Sequence, residues 1–440
     1  MNKTVTIVGA GLAGCEAAWQ LAQRGIPVKL VEMKPQKFSP AHHMTGFAEL
    51  VCSNSLKAEH LSNASGLLKA EMKQLGSLIL TCAEQARVPA GGALAVDRDV
   101  FSQLVTEKIE SHPLITVERA LVTEVPETPC IIATGPLTDD ALSEAIGKMP
   151  GFSALHFFDA AAPIVTEESL NMDKVFRQSR YDKGSDYLNC PMSEEEYNAF
   201  YDALIEAELA PLHDFEKKLV FEGCLAVEIL ASRGRQTLAF GPLKPVGLVD
   251  PRTGKEPYAV VQLRQENEAG THYNLVGFQT RLKWGEQKRV FSMIPGLENA
   301  EFTRYGVMHR NTYLNSPDVL GRNFAVKDNP ELRFAGQLTG VEGYMESTAS
   351  GLMAGVAMAH HLLGQPEPQF PGSTILGGLE RHVRTPSSNF QPMNANFGIL
   401  DRPPMKIKGG KKVRYEKMAE IAQESLAAAL AEAGITPIEI

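Results

Sequence analysis

The chain has 440 residues, of which 44% are hydrophobic and 22% charged, and it carries a formal net charge of −9. These proportions are typical of a soluble protein that can bury a sizeable core, and at roughly 150 residues per domain the length predicts about three units. The acidic total does not favour a general nucleic-acid binder, and no apolar run approaches the ~18 residues of a membrane span.

The six cysteines stand far apart, and the closest pair is Cys52 and Cys82. No CxxC pair is present, and the adjacent histidines at 42–43 and 360–361 would point apart on a helix or a strand. We therefore expect reduced thiols, no metal site, no membrane association and a cytoplasmic location.

The first segment of the chain predicts a dinucleotide-binding unit. A β-branched strand over residues 4–8 leads into the turn GAGLAG, a helix over residues 15–24 and a second strand that ends at Glu32. Glycines at this spacing permit a tight turn and close approach of the backbone to a pyrophosphate, and the acid about 20 residues further on can accept from ribose hydroxyls. The predicted cofactor contacts are Gly9, Ala10, Gly11, Leu12, Ala13, Gly14 and Glu32.

Two later segments favour FAD over NAD. CIIATGPL (residues 130–137) is typical of an apolar strand, and LRFAGQLTG (residues 332–340) is typical of a strand that meets a glycine turn before a long helix. Together with the first fingerprint they resemble the glutathione-reductase-like FAD proteins, in which the last segment returns to the first sheet and lies against the flavin. That resemblance implies further FAD contacts from Gly135, Gly336, Gly343 and Tyr344.

The middle of the chain has a different pattern of charged and apolar residues. SEEEYNAFYDALIEAEL (residues 193–209) is typical of a charged helix, whereas YAVVQLRQ (residues 258–265) and HYNLVGFQT (residues 272–280) are typical of strands. A final helix is expected from about Tyr415 to Ala433.

These patterns predict an α/β fold with two parts. The first is a glutathione-reductase-like, Rossmann-type FAD-binding domain built from both chain ends, over residues 1–170 and 302–440. The second is an inserted α/β domain over residues 171–301.

Motifs along nearly the whole chain resemble those of the folate- and FAD-dependent tRNA (uracil-5-)-methyltransferases. In chain order they include FAELVCSNS (residues 47–55), FEGC (residues 221–224), FGPLKPVGLVDPRTG (residues 240–254), RYGVMHRNT (residues 304–312) and GQLTGVEGYMES (residues 336–347). One departure is Leu225-Ala226, where the family usually continues Met-Pro after the FEGC cysteine. The change removes a residue that fixes φ but leaves the thiol in place.

The resemblance implies methylation of carbon 5 of a uridine in the T-loop of tRNA. A thiolate that adds to carbon 6 makes carbon 5 enolate-like, so that it can attack the one-carbon unit of methylenetetrahydrofolate, directly or by way of the flavin N5. A base removes the carbon 5 proton, the thiol leaves, and hydride from reduced FAD completes the methyl group. NADPH or NADH is the implied reductant of the flavin.

Two thiols match the family's functional cysteines. Cys224 follows Gly223, which would allow close approach of a substrate, and it is assigned as the nucleophile. Cys52 is assigned as the base, and the reverse assignment stays open. The residues after Cys52, Ser-Asn-Ser, favour a loop over a core strand.

Other site residues follow from the resemblance and from charge. His309 matches a family histidine that stacks on the pterin of the folate. Basic residues concentrate over residues 281–289 and 402–417, and since a substrate RNA must be held by phosphate contacts, these patches are predicted to bind it. The predicted RNA-binding residues are Arg281, Lys283, Lys288, Lys406, Lys408, Lys411 and Lys412.

Alternatives to tRNA methylation remain open at this stage. The same chemistry on ribosomal RNA would use the same residues. A related flavoprotein of tRNA wobble-uridine modification, a simple NADPH oxidoreductase and a non-enzymatic, flavin-containing RNA-binding or redox-sensing protein would share the dinucleotide fingerprint. Methylation of RNA with labelled methylenetetrahydrofolate separates these classes.

Overall fold

The computed structural model describes residues 3–435 except 161, 183, 211–224, 307, 388–389 and 404–408. Its strands are β1 (Val5–Val8), β2 (Val28–Glu32), β3 (Ser55–Ala58), β4 (Arg87–Val88), β5 (Ala93–Val96), β6 (Ile115–Arg119), β7 (Cys130–Ile132), β8 (Ala154–Ala160), β9 (Ile164–Thr166), β10 (Phe176–Arg177), β11 (Tyr187–Met192), β12 (Ala259–Gln265), β13 (His272–Leu275), β14 (Phe302–Arg304), β15 (Met308–Leu314), β16 (Ala325–Val326) and β17 (Asn329–Phe334). Its α-helices are α1 (Leu12–Ala22), α2 (Ala64–Lys73), α3 (Leu78–Gln85), α4 (Arg98–Glu110), α5 (Asp140–Gly147), α6 (Glu194–Glu206), α7 (Val227–Ser232), α8 (Thr237–Phe240), α9 (Trp284–Phe291), α10 (Ser316–Val319), α11 (Tyr344–Leu362), α12 (Ile375–Arg384) and α13 (Lys411–Glu432).

A six-stranded sheet joins the two ends of the chain. Its order is β16-β17-β7-β1-β2-β6, and β17, β7, β1, β2 and β6 run parallel. The middle strands are buried on both faces, as continuous β-branched and aliphatic runs require in a parallel sheet. The predicted α/β organisation, with β17 returning from the far end of the chain to the first sheet, is confirmed.

The predicted elements are present, with shifted starts. Helix α1 begins at Leu12, three residues before the expected start, because Gly11 in an extended conformation already caps the helix within the glycine turn. Helix α13 begins at Lys411 instead of about Tyr415, directly after Gly410. The basic residues before Tyr415 are good helix formers, so they extend the helix to the glycine.

A second six-stranded sheet is antiparallel and has the order β10-β11-β12-β13-β9-β14. Helices α6, α7 and α9 contribute buried side chains to its separate core, which includes Phe200, Phe278 and Phe291. The sheet uses β9 and β14, which lie just outside the limits predicted for the insert. Those limits themselves stay a prediction.

Two smaller sheets connect these parts. The chain passes from the first large sheet to the second through β8 and returns through β15. These two strands pair with each other as one antiparallel ribbon. Strands β3, β5 and β4 form a short antiparallel sheet beside the loop that carries Cys52. None of the helices in the described residues is both long and apolar enough to cross a membrane.

Helices α1 and α11 pack with their backbones in direct contact. A Cβ atom built on Gly351 would clash with the carbonyl oxygen of Ala13, and one built on Gly355 would lie 2.8 Å from the carbonyl oxygen of Ala17. The backbones of the two helices therefore touch, which only glycine at these positions permits. The contact holds the closing segment of the chain against the N-terminal glycine turn.

We expect Gly351→Ala to lower the melting temperature, because the new methyl group must push α11 away from α1. Overpacking of this kind costs about 1–3 kcal/mol. Thermal unfolding followed by circular dichroism measures the effect. Gly147→Ala is the matched control, since a Cβ at Gly147 meets no atom within 4 Å. Equal melting temperatures for the two variants would show that the contact is not tight.

Candidate active site

Two adjoining cavities lie where the carboxyl ends of the parallel strands meet the second sheet. The first is lined by the glycine turn and by the segments after β2, β7 and β17, and its lining includes Gly9, Ala10, Gly11, Leu12, Ala13, Glu32, Gly135, Gly336 and Tyr344. The second, of about 260 Å³, includes Cys52, Lys57, Gln279, Asn311, Glu342, Gly343 and Asn394. Both are lined by Val51, Pro136, Leu137, Gln337 and Tyr344.

The glycine turn has the geometry that a dinucleotide site needs. Gly9 has a φ of +97°, and a Cβ there would lie 2.7 Å from the carbonyl oxygen of Ala133. The buried carboxylate of Glu32 accepts from the backbone N–H groups of Ala10 (2.8 Å) and Lys34 (3.0 Å). The end of β2 is therefore tied to the turn.

Two glycines leave space for a ligand. Gly11 and Gly135 both line the first cavity, yet a Cβ on either residue would meet no protein atom within 4 Å. Gly11 has a φ of −77°, which any residue adopts, so its missing side chain serves the cavity, whereas Gly135 has a φ of +70° that itself favours glycine. Gly14 differs, because its Cβ would clash with the carbonyl oxygen of Gly9, so its role is to pack α1 against the turn.

A loop after β2 closes one side of the first cavity. Lys34 and Glu49 form a buried ion pair at 3.5 Å, and Lys34 also donates to the carbonyl oxygen of Gly46 at 2.7 Å. Lys37 forms an ion pair with Asp139, the residue that caps α5. These contacts fix the chain between the second strand of the dinucleotide unit and the Cys52 segment.

Cys52 lies in a loop held by the first residue of α11. The hydroxyl oxygen of Tyr344 accepts from the backbone N–H groups of Cys52 (2.8 Å) and Ser53 (3.1 Å). Burial is the main cause that raises the pKa of Tyr344, so the hydroxyl stays neutral. Since Tyr344 lines both cavities, one side chain connects the walls of the first cavity to the thiol segment.

Three arginines from distant elements hold the same loop. Arg304 donates to the carbonyl oxygen of Val51, and Arg98 donates to that of Cys52 at 3.5 Å. Arg264 donates to the Ser53 hydroxyl at 2.7 Å and to the Asn54 side-chain oxygen at 2.8 Å.

The charged side chains around the loop carry a net positive charge. The three arginines share one buried carboxylate, Glu266, which lies 2.9 Å from Arg98. Burial raises the pKa of Glu266 and lowers the pKa values of Arg264 and Arg304, and Cys52 acts electrostatically on both of these arginines. Clustered cations are the surroundings in which reactive cysteines occur.

The other described cysteines are in a different environment. Cys15, Cys82, Cys130 and Cys190 are buried, and burial raises the pKa of each thiol, to about 12 for Cys82 and Cys130. Cys52 alone among the described cysteines is half-buried and lines a cavity. Burial thus separates the inert thiols from the candidate functional one.

The second cavity carries amide and charged groups. Gln337 donates to the carboxylate of Glu342 at 2.6 Å, and Lys57 lies 3.1 Å from the carboxylate of Glu346. The other oxygen of Glu346 is buried without a hydrogen-bond partner in the described residues. Gly343 lines this second cavity and not the first, and a Cβ there would clash with Glu346.

Two predicted site residues lie wholly or partly outside the described part of the chain. Cys224 lies outside the described residues. Three residues further on, the N–H of Val227 donates to the carbonyl oxygen of Gln279 at 2.7 Å, and Gln279 lines the second cavity. His309 lies in β15, where only its backbone is described, and Asn311 of the same strand lines the second cavity. Their roles stay predictions.

The predicted RNA-binding residues differ in exposure. Lys283, Lys288, Lys411 and Lys412 are exposed. Arg281 is half-buried beside Glu228, 4.0 Å away, so its guanidinium is less accessible than the sequence suggested. Lys406 and Lys408 lie outside the described residues. No group of His, Cys, Asp or Glu within the described ranges could hold a metal ion.

Sequence reasoning missed the arginines around the Cys52 loop. Arg264 is 210 residues away from Asn54, and Arg304 is 253 residues away from Val51, so no local spacing connects them. The available signal was a charged residue within the apolar run YAVVQLRQ, since a buried arginine in a strand requires a partner.

Known proteins resemble the chain over nearly its whole length. A family model for glucose inhibited division protein A matches residues 4–366. A relative from Acetivibrio thermocellus, named methylenetetrahydrofolate--tRNA-(uracil-5-)-methyltransferase TrmFO, is 60% identical over 415 residues, which cover 94% of this chain and 95% of the relative. A relative of the same name from Staphylococcus saprophyticus is 59% identical over 425 residues and covers 96% of this chain and 98% of the relative.

Among solved structures, GidA from Aquifex aeolicus has a TM-score of 0.69 at 14% identity and covers 98% of this chain and 72% of that chain. At that identity the likeness shows the fold alone, and it agrees with the predicted Rossmann-type organisation. From the family model and the near-full-length relatives, the chain belongs to the TrmFO family of methylenetetrahydrofolate--tRNA-(uracil-5-)-methyltransferases, within the wider group related to glucose inhibited division protein A.

Proposed function

We propose that this protein methylates carbon 5 of a uridine in tRNA, with methylenetetrahydrofolate as the one-carbon donor. The observation that carries the proposal is that the cavity containing Cys52 shares a wall with the cavity of the dinucleotide turn. A thiol and a redox cofactor that act on the same base must both lie within reach of that base, and therefore next to each other. The relatives' name supplies the substrate and the donor.

FAD fits the first cavity. Gly11 and Gly135 leave room beside the backbone, Glu32 stands where a ribose would be recognised, and the N-terminus of α1 favours the pyrophosphate. Reduced FAD, when bound, supplies hydride equivalents for the methyl group. The protein's own part is to hold that cofactor beside the second cavity, through Gly336 and Tyr344.

The two thiols divide the covalent work. In the proposed assignment the thiolate of Cys224 forms a bond to carbon 6 of uracil, and the electron pair of the broken double bond moves towards carbon 5. Cys52, in its cationic surroundings, then accepts the carbon 5 proton after the one-carbon unit has been attached. Loss of that proton expels tetrahydrofolate, so that the bond from the one-carbon unit to the folate nitrogen breaks and an exocyclic methylene remains on carbon 5. When a hydride equivalent reaches this methylene, the Cys224 thiolate is expelled and the ring double bond is restored. His309 is proposed to hold the folate.

The finer assignments rest on family chemistry and on surface charge. We propose the T-loop of tRNA as the target, NADPH or NADH as the reductant, and action in the cytoplasm. Exposed Lys283, Lys288, Lys411 and Lys412 would bind phosphates of the RNA. To reach Cys52 the uridine must leave its stack, as bases do in other enzymes that modify them.

Purified protein is expected to be yellow and to release FAD on denaturation. Gly11→Val should abolish flavin binding, because the side chain would occupy the cavity, while the melting temperature of the apoprotein changes little. Flavin absorbance and thermal unfolding measure the two effects, with Gly147→Ala as the control for a glycine outside the cavity. A colourless wild-type protein that cannot be reconstituted with FAD would contradict the proposal.

Tyr344→Phe removes the acceptor of two backbone hydrogen bonds in the Cys52 loop. Leaving a half-buried donor without its partner costs at most about 1–3 kcal/mol, so methylation should fall by up to roughly 5- to 150-fold while flavin stays bound. Initial rates with labelled methylenetetrahydrofolate provide the measurement. Tyr181→Phe is the control, because Tyr181 is exposed and lies outside both cavities. Unchanged rates in Tyr344→Phe would show that the loop needs no such anchor.

RNA with 5-fluorouridine at the target position tests the thiol roles. Fluorine cannot leave as a cation, so the adduct should accumulate after thiolate addition and migrate with the protein in denaturing gels. Cys224→Ala should abolish the adduct and methylation together, with flavin retained. Cys52→Ala should abolish methylation and still allow addition. An adduct lost in Cys52→Ala and kept in Cys224→Ala would reverse the two roles.

A further inference from the structure

Aromatic rings form a ladder from the core of the second sheet to the surface. Phe291, which is fully buried, contacts Phe302, with ring centroids 6.4 Å apart. Phe302 stacks on Tyr305 at 5.3 Å and 15° between planes, and Tyr305 stacks on Trp284 at 5.5 Å and 13°. The last ring in the series, Trp284, is 63% exposed.

The orientation of Trp284 is fixed before any ligand arrives. Its ring is nearly parallel to that of Tyr305, which is itself anchored to Phe302, and its backbone begins α9. Because Tyr305 already holds the exposed indole in one orientation, a ligand that stacks on the ring does not have to restrict its motion further. A flat π-system is the ligand that matches it.

A cation lies on the same side of α9 as the ring. Lys288 is one helical turn beyond Trp284 and is exposed, without an ion pair among the described residues. Lys283, directly before Trp284, is also exposed but is paired with Glu208 at 2.6 Å, so it would bind a phosphate only by leaving that carboxylate. An exposed indole with a nearby lysine is an arrangement by which proteins bind unpaired nucleotides, with the base on the ring and a phosphate on the lysine.

The ladder is also close in the chain to the second cavity. Gln279, five residues before Trp284, lines that cavity, and so does Asn311, six residues after Tyr305. Five residues span at most about 18 Å, so a nucleotide on Trp284 would lie within that reach of the segment that lines the second cavity.

We propose that Trp284 is a stacking platform for an unpaired base of the RNA substrate that neighbours the target uridine. The inference rests on the proposed function, since it presumes an RNA substrate. Once the target leaves its stack, an adjacent base loses a stacking partner, and the exposed indole face replaces it. Trp284 is thus a binding residue for the RNA and not part of the covalent chemistry.

The first test measures the affinity of the FAD-loaded protein for an unmodified tRNA transcript at several salt concentrations. Trp284→Leu should weaken binding about 5- to 100-fold, and Trp284→Phe should retain most of the affinity. The dependence on salt should stay as in the wild type, because stacking releases no counterions, whereas Lys288→Ala should flatten it. Phe240→Leu, at an exposed aromatic with 80% exposure, is the matched control.

Fluorescence gives an independent signal, because the chain has two tryptophans and the other, Trp19, is buried in α1. Addition of the tRNA transcript should change the emission of the wild type and of Trp19→Phe, but not that of Trp284→Phe. An emission change that persists in Trp284→Phe would overturn the proposal.

Three further results would overturn it as well. They are wild-type RNA affinity in Trp284→Leu, a flattened salt dependence in that variant, and a loss of tetrahydrofolate affinity in place of RNA affinity, measured by calorimetry. The last would make the co-substrate the ligand of the ring. Failure of the proposed function is distinguishable, because it is the absence of methylation by the wild type, whereas the stacking test measures binding without turnover.

Discussion

The contact between α1 and α11 is the constraint on which the two cavities depend. Gly351 and Gly355 let the backbones of these helices touch at Ala13 and Ala17, so the far end of the chain is fixed against the first glycine turn. Strand β17 enters the parallel sheet just before α11, and Tyr344 is the first residue of that helix. The position of the tyrosine hydroxyl is therefore set by helix packing some distance from the site.

The Cys52 loop gathers contacts from separate parts of the fold. Arg98 comes from α4, Arg264 from β12 and Arg304 from β14, so the loop joins the core of the parallel sheet to the antiparallel sheet. Burying several cations around a single carboxylate carries a desolvation cost that packing alone would avoid. Such a cluster is best explained by what it does for the loop, which is to hold a cysteine in positive surroundings at the edge of a cavity.

Much of the fold was predictable because its signals are local. The glycine turn, the strand before it and Glu32 lie within about one supersecondary unit, so their spacing alone singled out residues that line the first cavity. The arginine cluster and the Tyr344 anchor were not predictable, since Tyr344 is 292 residues away from Cys52 and only the fold brings them together. Gly343, predicted from the sequence to contact FAD, lines the second cavity beside Tyr344, and its role stays a prediction.

Tyr344 belongs to the walls of both cavities. It lines the first cavity, and its hydroxyl accepts from both N–H groups of the Cys52 loop. A shift of this side chain would lengthen two hydrogen bonds of the loop at once, and two half-buried donors would lose their partner. The residue that borders the cavity of the glycine turn is thus also the one that holds the segment with Cys52.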